Sequence, residues 1–275
     1  MSYIANLLGY LLNFIYNLVQ NYGIAIIIFS ILTKLILLPF SMKQQKTMKK
    51  TSKIQGESKR IQSLYKNDPQ KMNQEIMDLY KREKMSPFSG CITSILQIVL
   101  VLAMFYLVKS PLTFMKKIDS TTINNYINEM QAQNIEINKA YPEITIIKEK
   151  GNNPDININM DLLGIDLSTV PSGDLKDYKV YIIPILYILS SIISMKITTN
   201  MTNNKNKQEG KEDEIDMTQQ MNKTMTWMIP IAAVSIAFVA PLGLALYWLM
   251  SNVTMIIERL LVNKFMKDKE DIVNE

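Results

Sequence analysis

The sequence contains no histidine and a single cysteine, Cys91. The first absence removes His-based catalytic triads and the imidazole ligands of most zinc sites. The second removes an intramolecular disulfide framework. Acidic side chains are missing from the long apolar runs as well: none of these contains Asp or Glu before Glu258, at the end of the last. The intramembrane carboxylates of a proton relay or cation site are therefore lacking. No cofactor and no metal are expected.

What is present is strongly segregated. Hydrophobic residues make up 48% of the 275 positions and charged residues 20%, with 30 Lys+Arg against 25 Asp+Glu. Such an average arises when apolar stretches alternate with charged ones. The apolar runs predict an all-α integral membrane protein with five transmembrane helices at 22–42, 88–109, 179–197, 224–239 and 240–257. The last two come from one long run divided by the turn signal Ala240-Pro241-Leu242-Gly243. Spans of only about 16–18 residues cover roughly 24–27 Å, which implies a locally thinned bilayer.

Charge placement sets the expected orientation. Residues 43–84 carry twelve Lys/Arg and five acids, whereas 110–178 carry six Lys and ten acids. The positive-inside rule puts the first segment in the cytoplasm and the second outside, with the N-terminus out and the C-terminus in. Residues 1–21 have no charge, and the first Lys/Arg is Lys34, so a cleaved secretory signal with a basic n-region is not expected. Asn6, Asn13, Asn17 and Gln20 form a polar stripe, predicting an amphipathic helix on the outer membrane surface; a sixth span is the alternative.

The remaining segments follow from local signals. Within 43–87, the turn Lys66-Asn67-Asp68-Pro69, preceded by Tyr65, separates two helix-forming stretches. Ile54, Ile61, Leu64 and Tyr65 on one side, and Met72, Ile76 and Leu79 on the other, recur at three- and four-residue steps. This predicts a cytoplasmic antiparallel helical hairpin whose basic outer faces suit anionic headgroups as well as a protein or RNA contact; nothing indicates nucleic-acid specificity. Residues 110–178 predict an extracytoplasmic loop or subdomain, with a short helix in TTINNYINEMQAQN and a strand in EITIIKEK. Residues 198–223 read as a polar cytoplasmic loop and 258–275 as a short cytoplasmic tail.

Lys34 is the anomaly. An uncompensated ammonium near the bilayer centre costs about 2.5–3.5 kcal/mol on insertion scales. Snorkelling toward Lys43 means reaching nine residues, or roughly 13 Å, along the helix. An ion pair with a carboxylate inside a span has no candidate partner. The expectation is therefore a positively charged hydrophilic groove open to the cytoplasm. Its candidate lining is Lys34, Thr33, Gln97, Ser190, Ser191, Ser194, Ser251 and Asn252. Each hydroxyl or amide has a plainer role in bonding across helices, at about 0.6 kcal/mol apiece. A groove of this kind suits an anionic or polar chain segment in transit, and no chemical step is needed.

The runs IIIFSILTKLILLPFSMKQQKTMKK, SPFSGCITSILQIVLVLAMFYLV, IDLS before PILYILSSIISMK, and WMIPIAAVSIAFVAPLGLALYWLMSN resemble the YidC-type membrane insertases, relatives of the mitochondrial Oxa-type and chloroplast Albino-type proteins. The resemblance covers nearly the whole chain apart from most of 110–178, and its form is Gram-positive-like. It implies a non-enzymatic insertase and chaperone of the bacterial plasma membrane. Its partners would be nascent membrane proteins, membrane lipid, the Sec translocon and the ribosome. By the same resemblance Lys34 occupies the place of a groove arginine, Ser194 that of a glutamine, and Trp248 that of an aromatic lining the groove. The short tail of mixed charge, KFMKDKEDIVNE, argues against ribosome docking through that tail. A channel or transporter using the same cavity is the competing class, and a holding chaperone without insertion activity is a nearer one.

Overall fold

The computed structural model describes residues 2–84, 91–173, 177–203 and 234–273. Helix α1 (Ser2–Val19) ends at Gln20, whose φ of 52° places it in the left-handed region while its N–H returns to the Tyr16 carbonyl at 2.7 Å. Asn21 then caps α2 (Tyr22–Leu64), its side chain accepting from the Ile24 N–H at 3.0 Å.

Helix α2 corrects the expected division at residue 43. Pro39 removes one backbone donor and disfavours the preceding turn, yet the helix runs through it for 43 residues, roughly 64 Å at the helical rise. The basic segment is therefore not a separate hairpin domain, because its first arm is the continuation of the first span. Asp68 caps α3 (Pro69–Arg82) through the Lys71 N–H at 3.0 Å, with Pro69 in the first turn, where a missing N–H costs nothing. Helix α3 packs back on the far part of α2. Ile54, Ile61 and Leu79 are buried between them, flanked by Tyr65, Ile76 and Tyr80.

The count of spans is corrected too. Among the described residues three helices, not five, are long and apolar enough to cross a membrane: Tyr22–Lys43, Tyr178–Ile197 and Leu242–Leu261. The expected span at 88–109 contributes a shorter apolar helix, Ile98–Lys109, within α4 (Cys91–Lys109). Twelve residues rise only about 18 Å, against roughly 30 Å of hydrocarbon. The expected span at 224–239 falls mainly on 224–233, outside the described residues; residues 234–239 are helical.

Between α4 and the next span lie a π-helix (Leu112–Lys116), α5 (Ser120–Ala132) and α6 (Pro142–Lys150). A two-residue antiparallel ladder follows, Asp161–Leu162 against Ile165–Asp166. The strand expected in EITIIKEK is α6 instead. Its run of β-branched residues is punctuated as a helix, with Pro142 and Glu143 in the first turn and Lys148 and Lys150 in the last.

This segment is not a free subdomain. Its Met115, Met130, Ile146, Ile156 and Leu167 share one core with Leu12 of α1, Phe29 of α2 and Tyr247 of α8 (Leu242–Val273). Backbone bonds tie it to the starts of the spans. The Tyr22 N–H donates to the Asn159 carbonyl at 2.9 Å, and the Leu242 and Gly243 N–H groups donate to Thr169 and Leu167 at 3.0 Å. These satisfy donors that a helix N-terminus leaves open. Helix α7 (Ile182–Asn203) is entered through a 3-10 turn, Tyr178–Tyr181, beside the ladder. Helices α2, α7 and α8 thus all start at the same end of the molecule.

Helix α1 is amphipathic in a sense the sequence did not suggest. Ala5, Gly9, Leu12, Ile15 and Tyr16 face the protein, while Tyr3, Leu7, Tyr10, Phe14 and Leu18 are exposed. Gly9 is required for the fit, because a Cβ there would lie 1.9 Å from the Phe114 carbonyl oxygen.

Candidate functional site

Helix α8 carries two polar registers, each separated by seven residues and so by two helical turns. Ser251 and Glu258 form one, Asn252 and Arg259 the other. The second faces α7. Asn252 Nδ2 donates to Ser191 Oγ at 2.7 Å and to Ser190 Oγ at 3.3 Å, and Arg259 Nη1 donates to the Ser194 carbonyl at 3.4 Å. Ser190 also donates to the Tyr187 carbonyl at 2.8 Å, and all three serines are buried.

Glu258, of the first register, reaches α2. Ser41 donates through Oγ to Glu258 Oε1, joining α2 to α8. Ser41 lies seven residues beyond Lys34 and therefore on the same side of α2. Among the described residues, Glu258 attracts the Lys34 ammonium and Arg259 repels it. Helix α8 is thus wedged between α2 and α7, with hydroxyls, one amide and three charged groups along both contacts. The span expected to end at 257 runs on to Leu261 and so takes in Glu258, the acidic group that acts on Lys34.

The other expected residues separate into several groups. The Thr33 hydroxyl bonds its own helix, donating toward the Phe29 carbonyl at 2.9 Å and the Ser30 carbonyl at 3.1 Å, and Ser30 does likewise to Ile26 at 2.7 Å. Trp248 is packed against Tyr187, with ring centroids 5.7 Å apart. The Ser251 carbonyl accepts from Thr254 Oγ1 at 3.1 Å. The Gln97 side chain lies outside the described residues. Tyr65, Lys66, Asp68 and Pro69 form the α2–α3 turn, in which the Asp68 N–H donates to the Tyr65 carbonyl at 2.9 Å and Lys71 Nζ sits 5.1 Å from the Tyr65 ring centre. Sequence reasoning left out Ser41 and Arg259, and took Glu258 only as the end of the last apolar run. The seven-residue spacings 34/41, 251/258 and 252/259 were the available signal.

An open groove is not what the described residues show around Lys34. They show a closely bonded polar seam between three helices. A cleft of about 1110 Å³ lies at the other end of the molecule, between α5, α6 and residues 168–173.

Residues 14–270 match the family described as 60Kd inner membrane protein. The chain belongs to that family. Its members form the YidC- and Oxa-type superfamily. A relative named membrane protein insertase YidC in Fusobacterium nucleatum is 28% identical over 268 residues, covering 96% of this chain and 98% of its own length. One of the same name in Treponema denticola is 26% identical over 260 residues, which is 94% of this chain and 37% of that protein. A third, in Caldanaerobacter subterraneus, is 40% identical over 110 residues, 40% of this chain and 53% of its own. The match thus spans 37% of the Treponema protein and 53% of the Caldanaerobacter protein, and nearly all of the Fusobacterium protein.

Proposed function

We propose that this protein is a non-enzymatic insertase and chaperone of a bacterial plasma membrane. It takes hydrophobic segments of nascent membrane proteins from the cytoplasm into the bilayer, alone or beside the Sec translocon. The observation that carries this is the seam itself. A lysine, an arginine and a glutamate lie with Asn252 and four serines, Ser41, Ser190, Ser191 and Ser194, between helices apolar enough to span the membrane.

The arginine, the glutamate, the amide and the serines are bonded across the helices while the seam is closed. A polar stretch entering between α2 and α8 exchanges bonds with Ser41, Asn252 and Arg259 rather than losing them to lipid, which lowers the desolvation cost of its passage. Lys34 supplies a positive charge for acidic residues in the guest. The 43–84 segment, with its excess of basic residues, lies on the cytoplasmic side, and the 110–178 segment outside. The turn at Tyr65–Pro69 is the first protein surface that a ribosome or an emerging chain meets there.

The test is insertion of a single-span guest into vesicles carrying the full-length protein. Lys34→Gln is expected to impair guests with acidic translocated segments more than neutral ones. Equal loss for both would count against electrostatic capture, and unchanged insertion of both would remove Lys34 from the site. Labelling of a cysteine at position 34, with Cys91 replaced by serine, by a membrane-impermeant maleimide is expected from the cytoplasmic side and to increase with guest present.

A further inference from the structure

Glu258 is unlike the other polar groups of the seam. It carries the charge that a guest's acidic residue would bring. Its carboxylate is anchored on α2 by Ser41, two turns beyond Lys34 on the same face, or roughly 10.5 Å along the axis. Its neighbour Arg259 is turned away toward α7, where it is bonded to the Ser194 carbonyl. The α2 contact therefore holds one cation and one anion from opposite helices, and the second cation is engaged on the far contact.

We propose that Glu258 is a built-in competitor for the Lys34 ammonium and sets how strongly this seam discriminates between acidic and neutral guests. This rests on the reading of Lys34 as the guest-contacting charge. An acidic residue of the guest reaches Lys34 only by displacing the influence of Glu258, so weakly acidic segments are ignored and strongly acidic ones are taken up. In low-dielectric surroundings such a fixed charge has a larger effect, because opposite charges interact several times more strongly there than in water. Ser41 ties the carboxylate to α2, so this bond and the Lys34 ammonium draw on the same group.

The experiment uses the full-length protein in vesicles and two guests that differ only in carrying Asp or Asn in the translocated segment. The readout is the ratio of their insertion. Glu258→Gln retains the shape and a hydrogen-bonding group for Ser41, and is expected to raise the Asp/Asn ratio several-fold. Glu258→Asp should stay close to the parent, and Glu258→Gln should have no effect on the ratio when Lys34 is already Gln. An unchanged ratio in Glu258→Gln overturns the proposal, as does an equal fall for both guests that Glu258→Asp restores, which marks a purely structural tie. If Lys34→Gln alone leaves the parent ratio unaltered, the reading of Lys34 fails and the proposal falls with it; that pattern differs from the first two. Should Glu258→Gln fail to accumulate, Ser41→Ala releases the carboxylate without changing any charge and is expected to lower the ratio, while an unchanged ratio there counts against the competitor role.

Discussion

Asn252 of α8 reaches two neighbouring hydroxyls of α7, donating to Ser191 at 2.7 Å and to Ser190 at 3.3 Å. One amide therefore ties two helices at a level where lipid offers no alternative partner. Replacing it with leucine removes both bonds and leaves the serines to their own helix. The expected loss is about 0.6–2 kcal/mol of helix association, read as a lower unfolding temperature in detergent. If insertion falls sharply while that temperature is unchanged, the amide contacts the guest rather than holding the helices.

Gly9 is where α1 touches the backbone of the π-helix. A methyl group there would overlap the Phe114 carbonyl, a backbone atom that cannot rotate away. Gly9→Ala is expected to cost about 1–3 kcal/mol or more, and to raise the susceptibility of residues 2–20 to protease. Gly56 meets nothing within 4 Å, so Gly56→Ala is the matched control and should be neutral or slightly stabilising.

Glu143 is a buried carboxylate in the 110–178 segment that accepts from the Thr113 N–H at 3.0 Å and from Thr113 Oγ1 at 2.6 Å. Burial pushes its pKa above the ordinary carboxyl value, with the Thr113 bonds opposing the shift. The folded state then binds the proton more tightly than the unfolded one. The stability it contributes is complete below the ordinary carboxyl value and declines as pH rises through the raised one. Glu143→Gln should flatten that part of a stability–pH curve, measured by thermal unfolding between mildly acidic and neutral pH. An identical slope in the variant would show that the dependence comes from another group.

Tyr247 and Tyr22 bury their hydroxyls without a hydrogen-bond partner among the described residues. An unmatched buried hydroxyl costs about 1–3 kcal/mol, so Tyr247→Phe is expected to leave the unfolding temperature unchanged or raise it. A clear fall would reveal a partner for that oxygen in the bilayer-embedded protein.

Leu79 is almost completely buried between α2 and α3, at 1% exposure. This contact lies beyond the Tyr22–Lys43 span, in the charged segment. Leu79→Ala should cost about 2–5 kcal/mol locally and speed amide exchange in α3 without altering exchange in α7.

The positions of α2, α7 and α8 were legible because runs of twenty apolar residues admit few alternatives. The turn at Lys66–Pro69 was equally plain, since Asp and Pro at successive positions are a helix-start signal. The boundary after Pro39 was misread: a proline inside a helix removes only one bond, and basic residues beyond it do not themselves end the helix. The α6 error has a different origin. Ile144, Ile146 and Ile147 suit either period over so short a stretch, and only the flanking Pro142 and lysines decide. On α1 the asparagines drew attention to a polar stripe, while the exposed face is built from Tyr3, Leu7, Tyr10, Phe14 and Leu18. Surrounding solvent type is not written in a helix's periodicity. The Ser41–Glu258 contact was hidden because it joins residues 217 positions apart.

Because α2 is continuous from the membrane run to Leu64, Lys34 and the α2–α3 turn belong to one rigid rod. The distance between them is about 45 Å along the axis. A load applied at the turn therefore acts as on a crowbar, and each degree of tilt about Lys34 sweeps the tip through about 0.8 Å. A partner gripping the turn would thus pry at the α2–α8 contact from a distance, without ever entering the bilayer.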